Sequence, residues 1–273
     1  MFRPIPEQRS IAAASREAFS SWVDEAPRGR NFGQLFIRPL ENRGYELRHA
    51  EDADAGRGLQ LYENPRAARE ISKLTGAGEY RPLKSSPNLR RGWMLRVKDD
   101  WELATAMGYF YPAGIVHWHM DREGRLGITS FRETAARQSG IYGHIRHLSG
   151  EGVQNAAKAC CEDSVCLKRT LWDVDESTPL EMDRGSGEIP CPEPCSLFVS
   201  FARRVRMFER EGENAADGSG FTPSEKEDLA TLLESGATGR LEMAREAEFE
   251  KSLNERRLRY RALTLLPRLR PEE

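Results

Sequence analysis

The chain has 273 residues, of which 31% are charged and 38% hydrophobic, and its formal net charge is −2 at pH 7. This length suffices for one large domain or two ordinary ones with a substantial core. The balance of charges gives no global bias towards nucleic acid, so no nucleic-acid partner is expected. The first ten residues lack an apolar signal region and no apolar run approaches the roughly 18 residues of a spanning helix, which predicts a cytoplasmic protein without a membrane segment.

Hydrophobic periodicity predicts mixed helices and strands up to about residue 125. Apolar and polar residues alternate on both sides of the break ENRG, which favours a strand pair. The predicted helices cover 11–24, 64–76 and 101–114, and the predicted strands cover 32–39, 44–52, 58–63 and 92–100. No GxGxxG, P-loop or GxSxG motif accompanies them, so this part offers no nucleotide site and no catalytic constellation.

Three histidines of this part are candidate metal ligands. His117 and His119 flank Trp118 and would point the same way on a strand, as a metal-binding pair does. No Asp, Glu or Cys lies at a matching spacing, so ordinary hydrogen-bonded histidines are the favoured interpretation. His49 is a lone histidine that we expect at the surface.

Charge and glycine replace the apolar pattern at 122–127, which predicts a domain boundary. The sequence then predicts a mixed α/β domain over 1–125, a mainly helical cysteine-bearing domain over 126–215 and a helical C-terminal extension over 216–273. The predicted fold class is therefore α+β, with a small antiparallel or mixed sheet in the N-terminal domain and mostly helices after it.

All five cysteines lie within one stretch, as Cys160, Cys161, Cys166, Cys191 and Cys195. Cysteines that serve only as small core residues would be scattered, so this clustering indicates a shared role. Their odd number and the chain length argue against a disulfide framework. The gaps C-C-x4-C and C-x3-C depart from the paired C-x2-C of structural zinc sites, whereas proline beside a ligand is frequent at 4Fe–4S clusters. Iron–sulfur is the favoured interpretation, and zinc and buried structural or redox thiols stay open.

Local patterns place the cysteines on predicted elements. Val153, Ala156, Ala157 and Cys160 follow one helical stripe, and Cys161 is turned about a quarter of the way round from it. Four ligand places and five thiols leave one cysteine spare, and the stripe makes Cys161 the first choice over Cys160.

The second pair of cysteines lies in CPEPC. Pro192 and Pro194 fix two φ angles, so the loop loses little entropy when it is ordered. Pro194 is predicted at the first position of a helix, with Cys195 in the first turn, where the helix dipole favours a thiolate. The apolar stripe of this helix is Leu197, Phe198, Phe201, Val205 and Phe208.

Several nearby side chains are candidate modulators of a cluster. Lys168 and Arg169 follow Cys166 as cationic donors that would raise a reduction potential, unless they are simply solvated. Trp172 either shields the cluster from water or is plain core. His144 and His147 are three residues apart and would replace a thiolate ligand only if the five cysteines did not suffice.

The C-terminal part begins with EGENAADGSG, which is typical of a flexible linker. A capping box of Thr222 and Glu225, with Pro223 at the first position, predicts the start of a helix. The last helix is predicted near 239–262. Six arginines lie between Arg256 and Arg270, and they either solvate this helix or form a docking patch for an acidic protein or a polycarboxylate.

The segments ARQSGIYGHIRHLS, CC-x4-CLKRTLW and IPCPEPCS together resemble the C-terminal iron–sulfur module fused to sirohydrochlorin or cobalt chelatases of the CbiX type. The part before them is similar to the small stabilising domain that accompanies this module, and the resemblance covers most of residues 30–210. It implies a 4Fe–4S centre bound by Cys166, Cys191 and Cys195, with Cys160 or Cys161 as the fourth ligand. The chelatase domain has no counterpart in this sequence, so chelatase activity is not expected.

These observations favour a cytoplasmic 4Fe–4S protein without catalysis of its own, an electron-transfer or redox accessory of tetrapyrrole (cobalamin or siroheme) metabolism. Its partner would be a redox protein or a chelatase. One alternative is a zinc-stabilised protein–protein adaptor. Another is an enzyme whose cluster has an open iron site, which would require only three ligating cysteines.

Overall fold

The computed structural model describes residues 6–73, 89–162, 166–214, 221–238 and 254–269. By their contacts these residues form two compact units. The first comprises the described residues up to Gly127 with Leu167–Arg169 and Ser186–Pro192, and the second those of Ile128–Cys166, Thr170–Gly185 and Glu193–Glu273. Each unit has buried apolar side chains of its own.

A five-stranded mixed sheet lies at the centre of the first unit. Its strands are β1 (Arg30–Phe32), β2 (Leu35–Pro39), β3 (Tyr45–His49), β4 (Gln60–Tyr62) and β5 (Trp93–Val97), in the order β1-β2-β3-β5-β4. Neighbouring strands are antiparallel except for β4 and β5, which are parallel. Because side chains alternate along a strand, Leu35, Ile37 and Leu47 enter the core while Arg38 and Glu46 point to the opposite face.

The described residues of the first unit also form four α-helices, α1 (Pro6–Asp24), α2 (Ala67–Lys73), α3 (Asp100–Phe110) and α4 (Gly114–Arg122), and a 3-10 helix (Ala50–Asp52). Helix α1 packs on α3, α4 and β2. Its Phe19 meets Phe32 and Trp118 edge to face, with ring centroids 5.0 and 5.4 Å apart. Helix α3 begins after Asp99, whose carboxylate accepts the N–H of Glu102 at 2.8 Å.

Two short strands, β6 (Lys168–Thr170) and β7 (Ile189–Cys191), pair in a sheet of their own. The helices of the second unit, in its described residues, are α5 (Phe131–Ala136), a 3-10 helix (Gly140–His147), α6 (Gly150–Cys161), α7 (Ser196–Asn214), α8 (Pro223–Thr238) and α9 (Glu255–Leu269). The predicted capping box at the start of α8 is confirmed: Thr222 N–H donates to the Glu225 carboxylate at 2.8 Å, and Glu225 N–H donates to the Thr222 hydroxyl at 3.3 Å.

The predicted α+β class is confirmed, as are the strand pair around ENRG and the strands near 58–63 and 92–100. Three predictions fall partly outside the described residues: the end of the helix over 64–76, residues 215–220 of the linker predicted over 211–220, and the start of the last helix. The linker prediction is wrong for residues 211–214, because α7 continues through them to Asn214. The predicted end of that last helix at 262 is wrong, because the apolar pattern continues to a buried Leu265 and α9 runs on to Leu269. In the described ranges, no helix combines the length and the apolar character that crossing a bilayer would require.

Candidate metal centre

Helix α6 carries the first two cysteines at its C-terminal end. It begins after Ser149, whose hydroxyl accepts the Gly152 N–H at 2.8 Å. The predicted apolar stripe is confirmed, since its members Val153, Ala156, Ala157 and Cys160 are all buried. Cys161 is buried as well, with 8% of its surface exposed against 4% for Cys160. Burial therefore does not separate the two thiols as candidate ligands.

Cys166 follows α6 after a short turn whose residues 163–165 lie outside the described ranges. The Cys166 N–H donates to the carbonyl of Glu162 at 2.8 Å, and this hydrogen bond joins Cys166 to the residue that follows Cys161. The Glu162 carboxylate in turn forms an ion pair with Arg259 of α9. Glu162 thus stabilises the turn between Cys161 and Cys166 in two ways, through its backbone hydrogen bond to Cys166 and its side-chain ion pair with Arg259.

The pairing of β6 with β7 places two cysteine segments side by side. Strand β6 begins two residues after Cys166, and β7 ends at Cys191. Gly187 permits this approach, because a Cβ at this position would lie 2.1 Å from the carbonyl oxygen of Leu167. No larger residue fits there without displacing the backbone.

The loop CPEPC ends at the start of α7. Pro192 and Pro194 are buried and Cys195 is half-buried. The predicted place of Pro194 at the first helical position is wrong: α7 begins at Ser196, and the carbonyl of Cys195 accepts the N–H of Val199 at 2.9 Å. Cys195 is therefore the cap residue before the first turn, still at the positive end of the helix dipole.

The apolar stripe predicted for α7 is confirmed, because Leu197, Phe198, Phe201, Val205 and Phe208 are all buried. Trp172 is fully buried and packs on Phe198 with ring centroids 4.7 Å apart. Phe131 meets the same Phe198 ring edge to face at 5.9 Å. Trp172 thus belongs to the core of the second unit, and its predicted shielding of a cluster stays a prediction.

Lys168 and Arg169 lie on β6 and are both half-buried. Arg169 forms an ion pair with Asp121 at the end of α4. The purely solvated interpretation is therefore wrong for Arg169, whereas the predicted effect of both cations on a cluster stays a prediction.

His117, His119 and His49 do not belong to a group of three or more metal-binding side chains among the described residues. His117 and His119 lie on helix α4 instead of a strand, so residues two apart point in nearly opposite directions. His119 contacts the Ser15 hydroxyl at 3.1 Å and Glu123 at 3.5 Å. His49, predicted at the surface, is buried and accepts the Glu51 N–H at 3.1 Å, and burial lowers its pKa.

His144 and His147 lie at the surface, exposed on the 3-10 helix. The ring of His147 accepts a hydrogen bond from Arg146 at 3.0 Å. Their proposed use as replacement ligands has no support from these contacts.

The donor set fits an iron–sulfur cluster in its chemistry. Cysteine binds iron as a thiolate, and the five cysteines exceed the four that a cluster needs. Among the residues that the structure describes, no group of three or more His, Cys, Asp or Glu side chains is arranged to hold a metal ion. The chain therefore has the cysteines that a cluster needs, but the described residues are not already arranged as a metal site.

Sequence reasoning missed the ion pairs that surround these segments. Arg259 with Glu162 and Arg137 with Glu193 join residues far apart in the chain. The sequence signals for them are weak, because each charge taken alone looks like an ordinary solvated residue.

Comparison with known families explains the cysteine stretch. Residues 123–204 match the model of a 4Fe-4S iron–sulfur cluster binding domain, and all five cysteines lie inside this match. Residues 123–204 are therefore similar to an iron–sulfur cluster binding domain. Residues 15–122 match the DR2241 stabilising domain, so the two matched segments adjoin in the chain.

One solved structure supports the same fold: DR2241 from Deinococcus radiodurans, described as a multi-domain protein with structural similarity to chelatases and two additional novel domains. The TM-score is 0.59 and the sequence identity is 24%, over 74% of this chain and 42% of that one. This chain therefore spans less than half the length of the solved protein. No curated protein matches the sequence.

Proposed function

We propose that this protein holds a 4Fe–4S cluster and serves as an electron-transfer or redox accessory. Its ligands would be Cys166, Cys191, Cys195 and one of Cys160 and Cys161. The observation that carries the proposal is the pairing of β6 with β7, which runs the segment after Cys166 beside the segment that ends at Cys191. Both segments lie inside the match to the cluster-binding domain.

Several residues of the chain would position the thiolates and set their electrostatic environment. Cys195 lies at the N-terminal cap of α7, where the helix dipole attracts a negatively charged group. The buried Pro192 and Pro194 stiffen the loop between the last two cysteines, so little entropy is lost on binding. Lys168 and Arg169 on β6 would supply positive charge near the thiolates, which raises a reduction potential. Bound by these thiolates, a 4Fe–4S group supplies one-electron transfer.

The proposed setting is tetrapyrrole metabolism in the cytoplasm. The resemblance of the cysteine segments to the module fused with sirohydrochlorin or cobalt chelatases supports it, and so does the structural similarity of DR2241 to chelatases. Neither of the two matching family models describes a chelatase, and the proposed partner is a separate chelatase or a redox protein. In this role the chain would deliver or sense electrons and would not insert the metal itself.

The test is anaerobic purification of the whole chain followed by analysis of iron, acid-labile sulfide and zinc. We expect four irons and four sulfides per chain, a brown colour and visible absorption that is lost on reduction and restored on oxidation. One zinc per chain with no sulfide would overturn the proposal and favour the zinc adaptor.

A second measurement separates electron transfer from chemistry at an open iron site. Each cysteine is replaced by serine in turn, and iron content is measured beside any reaction with a tetrapyrrole substrate. For an accessory, each ligand replacement lowers iron content. A cysteine whose loss abolishes a reaction but leaves the cluster intact would instead identify an enzyme.

A further inference from the structure

Helix α9 lies outside both family matches, which together cover residues 15–204. It nevertheless packs on α6, which carries Cys160 and Cys161, and its Tyr260 reaches α7, which begins after Cys195. We propose that α9 holds the two cysteine-bearing helices α6 and α7 in place. We further propose that Arg259 is a positioning residue that acts through Glu162. The inference rests on the proposed function, since it assigns this helix a role towards the cluster.

The contact of α9 with α7 is aromatic. Tyr260 is buried, and its ring lies 6.1 Å from Phe201 edge to face and 6.0 Å from Phe208 in a stacked arrangement. The guanidinium carbon of Arg261 lies 3.7 Å from the centroid of the same Phe208 ring. Burial of the Tyr260 hydroxyl raises its pKa. These contacts fix α9 against the helix whose N-terminal cap is Cys195.

The contact of α9 with α8 is ionic and buried. Asp228 receives Arg257 at 2.7 Å and Arg261 at 2.8 Å, and the three side chains expose 0, 2 and 3% of their surface. The predicted solvated or docking interpretation is therefore wrong for Arg257 and Arg261. A guanidinium already paired with a buried carboxylate is not free to receive an external ligand. This pairing anchors α9 against α8.

Arg259 is the residue of α9 whose ion-pair partner lies next to a cysteine in the sequence. Its partner Glu162 follows Cys161 directly, and the carbonyl of Glu162 accepts the N–H of Cys166. The two side chains are about one-third exposed, at 30 and 31%. Arg259 therefore holds the residue at which the turn between Cys161 and Cys166 starts and closes.

Two consequences follow from this position. Without Arg259 the turn would lose its side-chain anchor, so the thiolates it carries would release iron more readily. The charge of Glu162 would also be left uncompensated beside anionic thiolates, and added negative charge disfavours reduction. If Arg259 only stabilised the fold, its loss would speed the release of iron only by lowering the melting temperature. The reduction potential would then stay unchanged.

The test compares Arg259→Gln with Arg184→Gln in the full-length, cluster-loaded chain. Arg184 pairs with Asp173 in the same unit at nearly the same exposure, 34 and 33%, which makes it a matched control. The measurements are the rate of cluster loss to an iron chelator, the reduction potential and the melting temperature. Arg259→Lys and the exchange Glu162→Arg with Arg259→Glu test rescue.

We expect Arg259→Gln to lose the cluster about fivefold faster than the control, the size of effect for an ion pair of this exposure. Its reduction potential should fall, while Glu162→Gln should raise it and Arg259→Lys should restore it. Equal loss rates and potentials in Arg259→Gln and Arg184→Gln, in a wild type that holds a cluster, would overturn this inference alone. A wild-type chain that takes up no iron and sulfide would overturn the proposed function together with it.

Discussion

Arg137 and Glu193 form an ion pair with 3.1 Å between the guanidinium Nη2 and the carboxylate Oε2. Arg137 belongs to the segment ARQSGIY, and Glu193 is the central residue of CPEPC. The pair therefore connects two of the three segments on which the family resemblance depends. Both side chains are 52% exposed, so water and salt screen the attraction.

The first prediction concerns the strength of this pair. Arg137→Gln should lower the free energy of unfolding by at most about 1 kcal/mol, because exposed ion pairs contribute little. Thermal unfolding monitored by circular dichroism measures the change. Glu193→Gln should have the same small effect, and a large loss of stability in both variants would mean that the pair is less exposed in solution.

The buried pair of Asp228 should behave in the opposite way. Asp228→Asn removes the charge that compensates Arg257 and Arg261, which leaves uncompensated charge in the interior and should cost about 3–5 kcal/mol. Thermal and urea unfolding of the variant measure this. Glu227→Gln is the control, because the neighbouring Glu227 is exposed. Equal stability of the two variants would contradict the buried arrangement.

Gly187 offers a test of the strand pair that supports the proposed site. Gly187→Ala would force a Cβ against the carbonyl oxygen of Leu167, and overpacking of this kind costs about 1–3 kcal/mol. We expect lower iron content after reconstitution and a lower melting temperature. Gly127→Ala is the control, since a Cβ there meets nothing within 4 Å. Wild-type iron content in Gly187→Ala would show that β6 and β7 need not approach so closely.

Much of the fold follows from short-range patterns in the sequence. The stripes of α6 and α7 and the capping box at Thr222 were predictable because each depends on residues within a few turns of one another. The positions of His117 and His119 were not, because a short apolar run around Trp118 fits either a strand or a helix.

Long-range partners were beyond sequence reasoning for a physical reason. A charge run such as the one from Arg256 onwards has the same composition whether its members are solvated or buried. Only the tertiary structure brings Asp228 to Arg257 and Arg261 and so decides between the two. The cysteine segments could be identified from their spacing, whereas the pairing of β6 with β7 could not.

Glu46 gives a prediction about pH. It is buried on β3 and receives Arg38 at 2.7 Å, Arg48 at 2.8 Å and Arg96 at 3.1 Å. Burial would raise the pKa of Glu46, but the hydrogen bond from Arg96 and the charges of Arg48 and Arg38 outweigh it and hold the pKa below its usual value.

A carboxyl group whose pKa is lowered on folding stabilises the fold above its unfolded pKa. This contribution should be lost as the pH falls from about 4.5 through the folded pKa of Glu46. Glu46→Gln should therefore destabilise the protein at pH 7 and show a weaker loss of stability on acidification than the wild type. Urea unfolding followed by tryptophan fluorescence at several pH values measures this, and parallel pH profiles for the two proteins would contradict the prediction.

The last prediction decides the fourth cysteine ligand. Cys160 continues the stripe of Val153, Ala156 and Ala157, and α6 ends at Cys161, directly before the turn to Cys166. A thiolate at the end of the helix needs less rearrangement to reach iron than one held in the apolar stripe. We therefore expect Cys161→Ser to lose iron and sulfide after anaerobic reconstitution, and Cys160→Ser to keep them.

Serine is the suitable replacement because it is close in size to cysteine but is a poor ligand for iron. Cys166→Ser, Cys191→Ser and Cys195→Ser should each lose iron as Cys161→Ser does, which provides the positive controls. The reverse result for the two neighbours, with iron retained in Cys161→Ser and lost in Cys160→Ser, would place the ligand on the apolar stripe. A cluster bound there would be more deeply buried, and less accessible to a partner, than one bound at the helix end.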